Sequence, residues 1–453
     1  MSIDMQTMQD RLGRLCEEYR RHNGFNAKDY QTYGVKRGLR NPDGTGVMAG
    51  LTNICNVHGF MMADGVRVPD EGKLTYRGID VKDIVNACIN ENRFGYEEVC
   101  WLLLFGSLPK EEQLSQFKDT LGSLRDLPDG FVEDMIMKSP SKDIMNKLGR
   151  SVLALYSFDD NPDDTSLENI MRQSIQLIAS LPTIMTSAYQ VKRRAFDKES
   201  MFFHPTDETL STSESILRAL RPDRMFTDTE AKLLDLCMIL HAEHGGGNNS
   251  TFAARVLSSS GTDTYATLSA AIGSLKGPRH GGANLRVRKM MEELKQEVQD
   301  WSDEDEIYRY LSAIVRKEKN DHSGLIYGFG HAIYTLSDPR AVILKQTAEK
   351  LAQEKNMMKE YDLYKTVEKL TPIVLAEVKG SDKVICANVD FYSGFVYDML
   401  GISSDLFTPM FAVSRIAGWC AHRIEEVTYG GRIIRPAYRA MISSRRYTPI
   451  GSR

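Results

Sequence analysis

Apolar residues that return every three or four positions dominate this 453-residue chain and leave little room for a sheet-based fold. That periodicity predicts helices around 94–107, 144–157, 167–190, 229–242, 264–276, 285–299, 305–317, 339–355, 391–400 and 408–427. It also opens the chain, where Met5, Met8, Leu12, Leu15 and Tyr19 share one side of an amphipathic helix. Two readings of that side stay open: packing on its own domain, or an arm reaching a second subunit. Alternation with a period of two is scarce. Short strands or hairpins are expected only between Val47 and Arg77, with Gly50, Gly59, Gly65, Pro69 and Gly72 as punctuation. No βαβ alternation and no phosphate-loop motif occurs, so a Rossmann-type fold is not expected. The fold class is mostly α. The charge-rich segment Ser302–His322 reads as the solvated face of a peripheral helix and its connections.

Charge and cysteine usage narrow the classes of partner. A formal net charge of −4 gives no footprint for nucleic acid or an anionic membrane, and neither partner is expected. No apolar run approaches the length of a membrane-spanning helix. The N-terminal segment lacks a signal peptide's apolar core and carries Asp4, Asp10, Glu17 and Glu18. A cytoplasmic location is expected, or a compartment reached through a signal already removed. The seven cysteines (Cys16, Cys55, Cys88, Cys100, Cys237, Cys386 and Cys420) are scattered, odd in number and never spaced C-x-x-C. They read as reduced core thiols, with no zinc site or disulfide framework.

Four stretches carry chemistry. The first, His241-Ala242-Glu243-His244-Gly245-Gly246-Gly247-Asn248-Asn249-Ser250, ends an apolar helix in glycines that let backbone approach a ligand. His241 and His244 share a helical face, which makes a zinc pair the rival reading, although a four-residue step is the commoner metal spacing. The second, Gly277-Pro278-Arg279-His280-Gly281-Gly282-Ala283-Asn284, places His280 in a loop of small residues between two helices. In the third, Gly328-Phe329-Gly330-His331 is followed by Ser337-Asp338-Pro339-Arg340. Ser337 or Asp338 can cap a helix with Pro339 at its first position, and Arg340 then sits where the helix dipole disfavours a cation and asks for an anionic partner. The fourth begins Asn388-Val389-Asp390-Phe391-Tyr392-Ser393-Gly394, where the common use of Asp390 would be as an N-cap. Downstream, Arg415 lies inside an apolar helix and must be paired or face a pocket, and Gly430-Gly431-Arg432-Ile433-Ile434-Arg435-Pro436 reads as an extended or turning segment.

Taken in order, H-x-x-H-G-G-G-N, G-P-x-H-G-G-A-N, G-F-G-H-A-x-Y with D-P-R, and N-V-D-x-x-S-G resemble the citrate synthase family. Gly72-Lys73-Leu74-Thr75-Tyr76-Arg77-Gly78 is similar to a further segment of that family, so the likeness runs from about residue 45 through most of the chain. The resemblance implies a homodimer of two-domain subunits. The large helical domain would be built from 1–284, with the N-terminal helical arm, and 393–453, and the small helical domain from 285–392 would close over a cleft. It implies condensation of acetyl-CoA with oxaloacetate, without metal or redox cofactor. His280, His331 and Asp390 would be catalytic, and His244, Arg340, Arg415 and Arg435 would hold the dicarboxylate, Arg435 from the other subunit. Lys383 is the implied CoA contact. This chain departs from the family pattern at Gly245, where Glu is frequent, and at Thr335, where some members place a phosphate-binding Arg. The family's N-terminal CoA arginine has no counterpart beyond Arg37 and Arg40, which are near it in sequence only. Propionyl-CoA in place of acetyl-CoA, giving 2-methylcitrate, uses the same residues. A silent paralogue that senses CoA or dicarboxylates would keep the arginines but lose Asp390 or a histidine, and all are present.

Overall fold

The structure is a computed structural model and describes residues 5–22, 27–64, 66–380 and 384–453. The chain divides into two compact units, Met1–Gly50 and Leu51–Arg453. In the first, helices α1 (Met5–His22) and α2 (Ala27–Thr32) precede a single helical turn at Arg37–Leu39 and an isolated bridge between Arg40 and Gly46. The amphipathic pattern of α1 is real, but Met8, Leu12, Leu15 and Tyr19 are all exposed. Cys16 on the same helix is exposed too, so it departs from the expected set of core thiols; Cys88, Cys100, Cys237 and Cys420 are buried, and Cys55 and Cys386 partly so.

The second unit opens with a three-stranded antiparallel sheet in the order β1 (Cys55–Ala63), β2 (Val66–Tyr76), β3 (Ile79–Asp80). Among the described residues fifteen α-helices follow: α3 (Val81–Asn90), α4 (Tyr96–Phe105), α5 (Glu111–Ser123), α6 (Ile144–Ala154), α7 (Leu167–Lys192), α8 (Thr212–Leu220), α9 (Asp228–His241), α10 (Asn249–Ser258), α11 (Thr264–Lys276), α12 (Ala283–Glu297), α13 (Glu304–Val315), α14 (Pro339–Glu354), α15 (Met358–Lys379), α16 (Val389–Met399) and α17 (Phe407–Glu425). Among the described residues, none of the helices is long and apolar enough to cross a membrane.

α17 is the axis of this unit. It is buried from Phe407 to Met410 and again from Ala412 to Arg423, and it packs against α4, α7, α9, α10 and α11. A helix buried round its whole circumference must be enclosed on all sides, so its neighbours are recruited around it. Close approach is secured by Gly418, where a side chain would collide with the Ala242 carbonyl and the Glu243 carboxylate. The Tyr96 hydroxyl donates to the carbonyls of Val413 and Ser414 at 3.0 and 3.1 Å, tying α4 to the same helix.

The β1–β2 hairpin lies against residues 333–337. The Arg67 guanidinium donates to the Ile333 carbonyl at 3.0 Å, the Gly72 N–H to Ser337 Oγ at 3.2 Å, and Ser337 Oγ to Glu71. Gly59 and Gly72, expected as turn punctuation, lie inside the strands and serve another purpose. A Cβ on Gly59 would stand 2.9 Å from the Ile333 carbonyl oxygen, and one on Gly72 would fall on the Ser337 carbonyl oxygen. Gly59 also sits where the strand register shifts, between His58 and Phe60. Gly72→Ala should therefore push the hairpin off this segment and lower stability by about 1–3 kcal/mol, as overpacking does. Urea unfolding measures the effect, and an unchanged midpoint would show that the contact yields without strain.

Candidate active site

α9 begins with a capping box between Thr227 and Glu230 and delivers His241 and His244 at its far end. Its chain continues through Gly245, at φ +88°, a conformation in which Gly is at ease and where a Cβ would also press on Val57 at 3.2 Å. The departure at Gly245 thus has a local physical reason. His244 is buried, and its Nε2 lies 3.3 Å from the Tyr334 hydroxyl. Burial, and then the positive charges of Arg340, hold its pKa well below the usual histidine range, so it is neutral. His241 Nδ1 donates to the Cys237 carbonyl at 2.7 Å, its ring stands edge-on to Phe411, and burial brings its pKa down to about 3. Among the described residues no three His, Cys, Asp or Glu side chains gather as metal ligands.

The segment around His331 is braced against the start of α16. Gly328 and Gly330 both adopt positive φ, and a Cβ on Gly328 would strike Phe391 and Val287. The Gly330 N–H donates to the Cys386 carbonyl at 2.9 Å, the Asn388 N–H to the Gly328 carbonyl at 2.8 Å, and Asn388 Nδ2 to the Gly330 carbonyl at 3.0 Å. His331 Nδ1 accepts the backbone N–H groups of Ile333 and Tyr334 at 3.1 and 3.2 Å, which leaves the ring proton of the neutral imidazole on Nε2. Its ring lies 5.0 Å from that of His244 and stacks on Tyr334 at 4.6 Å.

Asn388, rather than Asp390, caps α16; its Oδ1 accepts the Asp390 N–H at 3.0 Å. Asp390 is thus not the ordinary N-cap that an Asp at a helix start commonly is. A better-placed amide two residues upstream takes that role, and no hydrogen bond to the Asp390 carboxylate is found among the described residues. Burial pushes the Asp390 pKa up to about 6; the Arg340 charge pulls it down, Asp338 raises it, and Arg415 opposes the rise further. At α14 the cap is Asp338, and its carboxylate also answers Arg340, accepting Nε at 3.0 Å and Nη2 at 2.8 Å. The anionic partner that Arg340 demands is thus internal, at least for one side of its guanidinium. Asp338 Oδ2 further accepts the Val389 N–H at 3.2 Å, so one carboxylate joins the first turns of α14 and α16.

Two arginines on α17 are fully buried, and they differ in one respect. Arg423 spends its donors on Thr264 Oγ1, Thr267 Oγ1 and the Thr262 carbonyl at 2.9, 3.0 and 2.9 Å. Arg415 gives Nε to the His241 carbonyl at 2.5 Å, while Nη1 and Nη2 have no partner among the described residues. A guanidinium cannot shed its charge at neutral pH; the leading charge that supports Arg415 is the buried Glu243 carboxylate, yet no acceptor among the described residues takes Nη1 or Nη2. The Arg415 charge also acts on His244, His280 and Asp390, which places all three within its field.

His280 is fastened to the same helix through Ser250. Its Nε2 is 3.0 Å from Ser250 Oγ, which also accepts Trp419 Nε1 at 3.2 Å. The Ser250 hydroxyl has one proton and two acceptor neighbours, Asn248 Oδ1 at 2.9 Å and His280 Nε2. Burial, with Arg415 second, brings the His280 pKa down to about 4, so the ring is neutral at physiological pH. Behind His244, Arg255 Nε donates to His422 Nδ1 at 3.0 Å, which fixes the ring proton on Nε2 facing Glu243 Oε1 at 3.1 Å. Glu243 in turn holds the Gly245 N–H at 2.6 Å. Sequence reasoning missed Asp338 as the partner of Arg340, and also Ser250, Trp419, Glu243, His422 and Arg255. The available signal was polar side chains on otherwise apolar helices.

His244, Arg340 and Arg415 are thus buried together, with His331 and Asp390 half-buried against them and His280 tethered nearby. Arg435 does not join them: it is exposed in the segment after α17, where the Ile434 N–H reaches Ser259 Oγ at 3.0 Å. Lys383 lies outside the described residues. Thr335 donates to the Gly59 carbonyl at 3.3 Å, and Arg37 and Arg40 belong to the unit 1–50. A site of two buried cations, one half-buried carboxyl of raised pKa and imidazoles around them can bind a dianion and move a proton at carbon beside it.

The family model for the citrate synthase C-terminal domain matches residues 41–437. The chain belongs to the citrate synthase family. A citrate synthase from Haloferax volcanii is 36% identical over 375 residues, covering 82% of this chain and 90% of that protein. A 2-methylcitrate synthase from Shewanella oneidensis is 34% identical over 386 residues, covering 84% and 92%. Among solved structures, a ternary complex of carboxymethyl coenzyme A and oxaloacetate with citrate synthase from Thermoplasma acidophilum is similar at TM-score 0.74 and 27% identity, covering 92% of this chain and 99% of that one.

Asp338→Asn would keep a capping side chain but strand a buried cation. It should lower stability by about 3–5 kcal/mol, the usual result of removing one partner of a buried pair. A urea midpoint equal to that of the wild type would refute the central place given to this carboxylate.

Proposed function

We propose that this protein is a citrate synthase, condensing acetyl-CoA with oxaloacetate and water to citrate and CoA through an enolate. The observation that carries the reading is the pair of buried, unanswered Arg415 N–H groups beside a carboxyl of raised pKa. Oxaloacetate supplies the missing acceptors, its carboxylates meeting the Nη groups of Arg415 and the free side of Arg340, with His244 as a neutral donor. Asp390, ionised above about pH 6, takes a methyl proton from the thioester. A hydrogen bond from His280 stabilises the enolate oxygen as charge develops; when Ser250 donates to Nε2, the donor is Nδ1–H. The enolate carbon then attacks the oxaloacetate ketone, and His331 Nε2–H protonates the new alkoxide. Water finally cleaves the citryl thioester. No step needs a metal or a redox cofactor.

The rest of the reading concerns assembly. Residues 285–392, carrying His331, Arg340 and Asp390, act as a small domain that closes when oxaloacetate binds and keeps water from the enolate. Lys383 meets a CoA phosphate. The protein works as a cytoplasmic homodimer, with Arg435 completing the partner's dicarboxylate site. One methylene in an acyl pocket is worth roughly 10–200-fold in kcat/KM. Parallel kinetics with acetyl-CoA and propionyl-CoA therefore decide between citrate and 2-methylcitrate.

Asp390→Asn should lower kcat by roughly 100–10,000-fold, the usual range for loss of a general base, while oxaloacetate binding is kept by the arginines. In the wild type, kcat/KM should fall as pH drops through about 6, because protonation removes the base. Arg340→Leu removes the leading charge that lowers the Asp390 pKa, so this acid limb should move to higher pH. Near-normal turnover of Asp390→Asn, or an acid limb unmoved by Arg340→Leu, would refute these roles.

The shared site has its own test. Asp390→Ala and Arg435→Leu chains, each inactive alone, are mixed and allowed to exchange. If Arg435 acts in trans, every mixed dimer has one intact site and activity recovers to roughly a quarter of wild type, since half the dimers are mixed. No recovery after verified exchange would place Arg435 in its own subunit's site or in none.

A further inference from the structure

The Glu243 carboxylate is fully buried and takes no part in the condensation steps. It lies along the face of α17 that carries Arg415, Gly418 and His422, at steps of three and four residues. His422 Nε2 donates to Oε1 at 3.1 Å, and a Cβ on Gly418 would fall on Oε2, so the carboxylate rests on bare backbone one turn from Arg415. Its own chain is tied down on both sides. The Tyr76 hydroxyl donates to the Glu243 carbonyl at 3.2 Å, and the Gly245 N–H returns to Oε1 at 2.6 Å. Arg415 is anchored to the same stretch, through Nε on the His241 carbonyl.

The two charges support each other without closing a salt bridge. Burial disfavours the Arg415 cation, and Glu243 is the leading charge that favours it. Burial also disfavours the Glu243 carboxylate, yet His422, and then Arg415, hold its pKa below the usual carboxylate range. Oε2 of Glu243 and both Nη groups of Arg415 nevertheless have no hydrogen-bond partner among the described residues. Either extreme would serve the site badly. A closed bidentate pair would occupy the guanidinium that a substrate carboxylate needs. With no counter-charge, the empty site would hold an unsupported buried cation. Such a cation would also grip an anion equally at every stage, which adds nothing to turnover once substrate saturates.

We infer, resting on the condensation reading above, that Glu243 is a positioning residue acting through Arg415, a fixed internal counter-ion that supports the guanidinium in the empty site and lets the polyanionic product go. Oxaloacetate brings two carboxylates and citrate three, so repulsion from Glu243 bears more on the product than on the substrate.

Isothermal titration calorimetry of the full-length protein at fixed ionic strength, comparing wild type with Glu243→Gln, tests this. The amide keeps an oxygen for the Gly245 N–H and for His422, and removes the charge. Oxaloacetate should bind the variant roughly tenfold more tightly, the effect of a unit charge on the order of 10 Å away in a protein interior, and citrate should gain more. The empty variant should melt below the wild type, and saturating citrate should raise its Tm by more than it raises that of the wild type. A carboxylate that merely held Gly245 and His422 in place would give the opposite sign, with both ligands binding the variant more weakly. Weaker or unchanged binding, or an equal gain for the two ligands, would overturn the assignment. If Glu243→Gln does not fold alone, refolding decides the matter: citrate should recover the variant where chloride at equal ionic strength does not, and failure of citrate to do so would overturn the assignment too. A wild type that binds neither ligand would remove the condensation reading and this one with it, whereas normal wild-type binding with no gain in the variant would remove this one alone.

Discussion

The Asp338 carboxylate is the constraint on which the catalytic end of this molecule depends. It is almost completely buried, and each of its oxygens serves two donors: Oδ1 takes the Arg340 N–H and Nε, Oδ2 takes Arg340 Nη2 and the Val389 N–H. A carboxylate so deep in the protein is tolerated only when its charge is paired and its lone pairs are filled. Satisfying it fixes the first turn of α14 and the first turn of α16 relative to each other. Arg340 and Asp390, fifty residues apart in the chain, thereby acquire a common frame. The same negative charge raises the proton affinity of Asp390. Structure and reactivity are linked here through a single anion.

A second theme is where the protein leaves charge unmatched. Arg423 and Arg415 lie on one helix at equal depth, yet only the former has all three guanidinium nitrogens on protein oxygens, while Arg415 places Nε alone on one. Burying a guanidinium without a full complement of acceptors weakens the fold unless something binds there. The neutral state of His244 and His280 follows from the same burial and from the cations nearby. Imidazoles held neutral donate hydrogen bonds without competing with Asp390 for its proton.

How much of this was legible in the sequence depended on distance along the chain. Long apolar helices such as α7, α9 and α17 were readable because core contact imposes a period near four on every turn. Helices α3, α5, α8, α10 and α15 were not, being short, or so polar that the period is blurred. α15 is a clear case, with lysine and glutamate along most of its length and Pro372 inside. The ordered motifs located His244, His280, His331, Asp390 and the arginines, and the structure gathers all of these but Arg435. Local chemistry was harder to assign: Asn388 caps α16 where Asp390 was the obvious candidate, because both residues cap well and only the backbone decides. Gly59 and Gly72 could not be told from turn glycines, since what they approach lies far away in the chain.

That separation has a meaning for how the molecule is made. Gly72 and Ser337 are 265 residues apart, and Glu71 and Ser337 are 266 apart. During synthesis the hairpin emerges early and must wait for most of the chain before its covering segment exists. Contacts of such high sequence separation form late, after their loop-closure entropy has been met by other structure. The His331–Arg340 segment therefore docks onto a scaffold that is already largely folded. A translating ribosome carries, for most of its passage along the message, an uncovered hairpin whose strands are bare of a side chain at Gly59 and Gly72. Such an edge is what chaperones bind and what aggregation exploits, so the glycines that permit tight closure in the finished enzyme are a liability for its nascent chain.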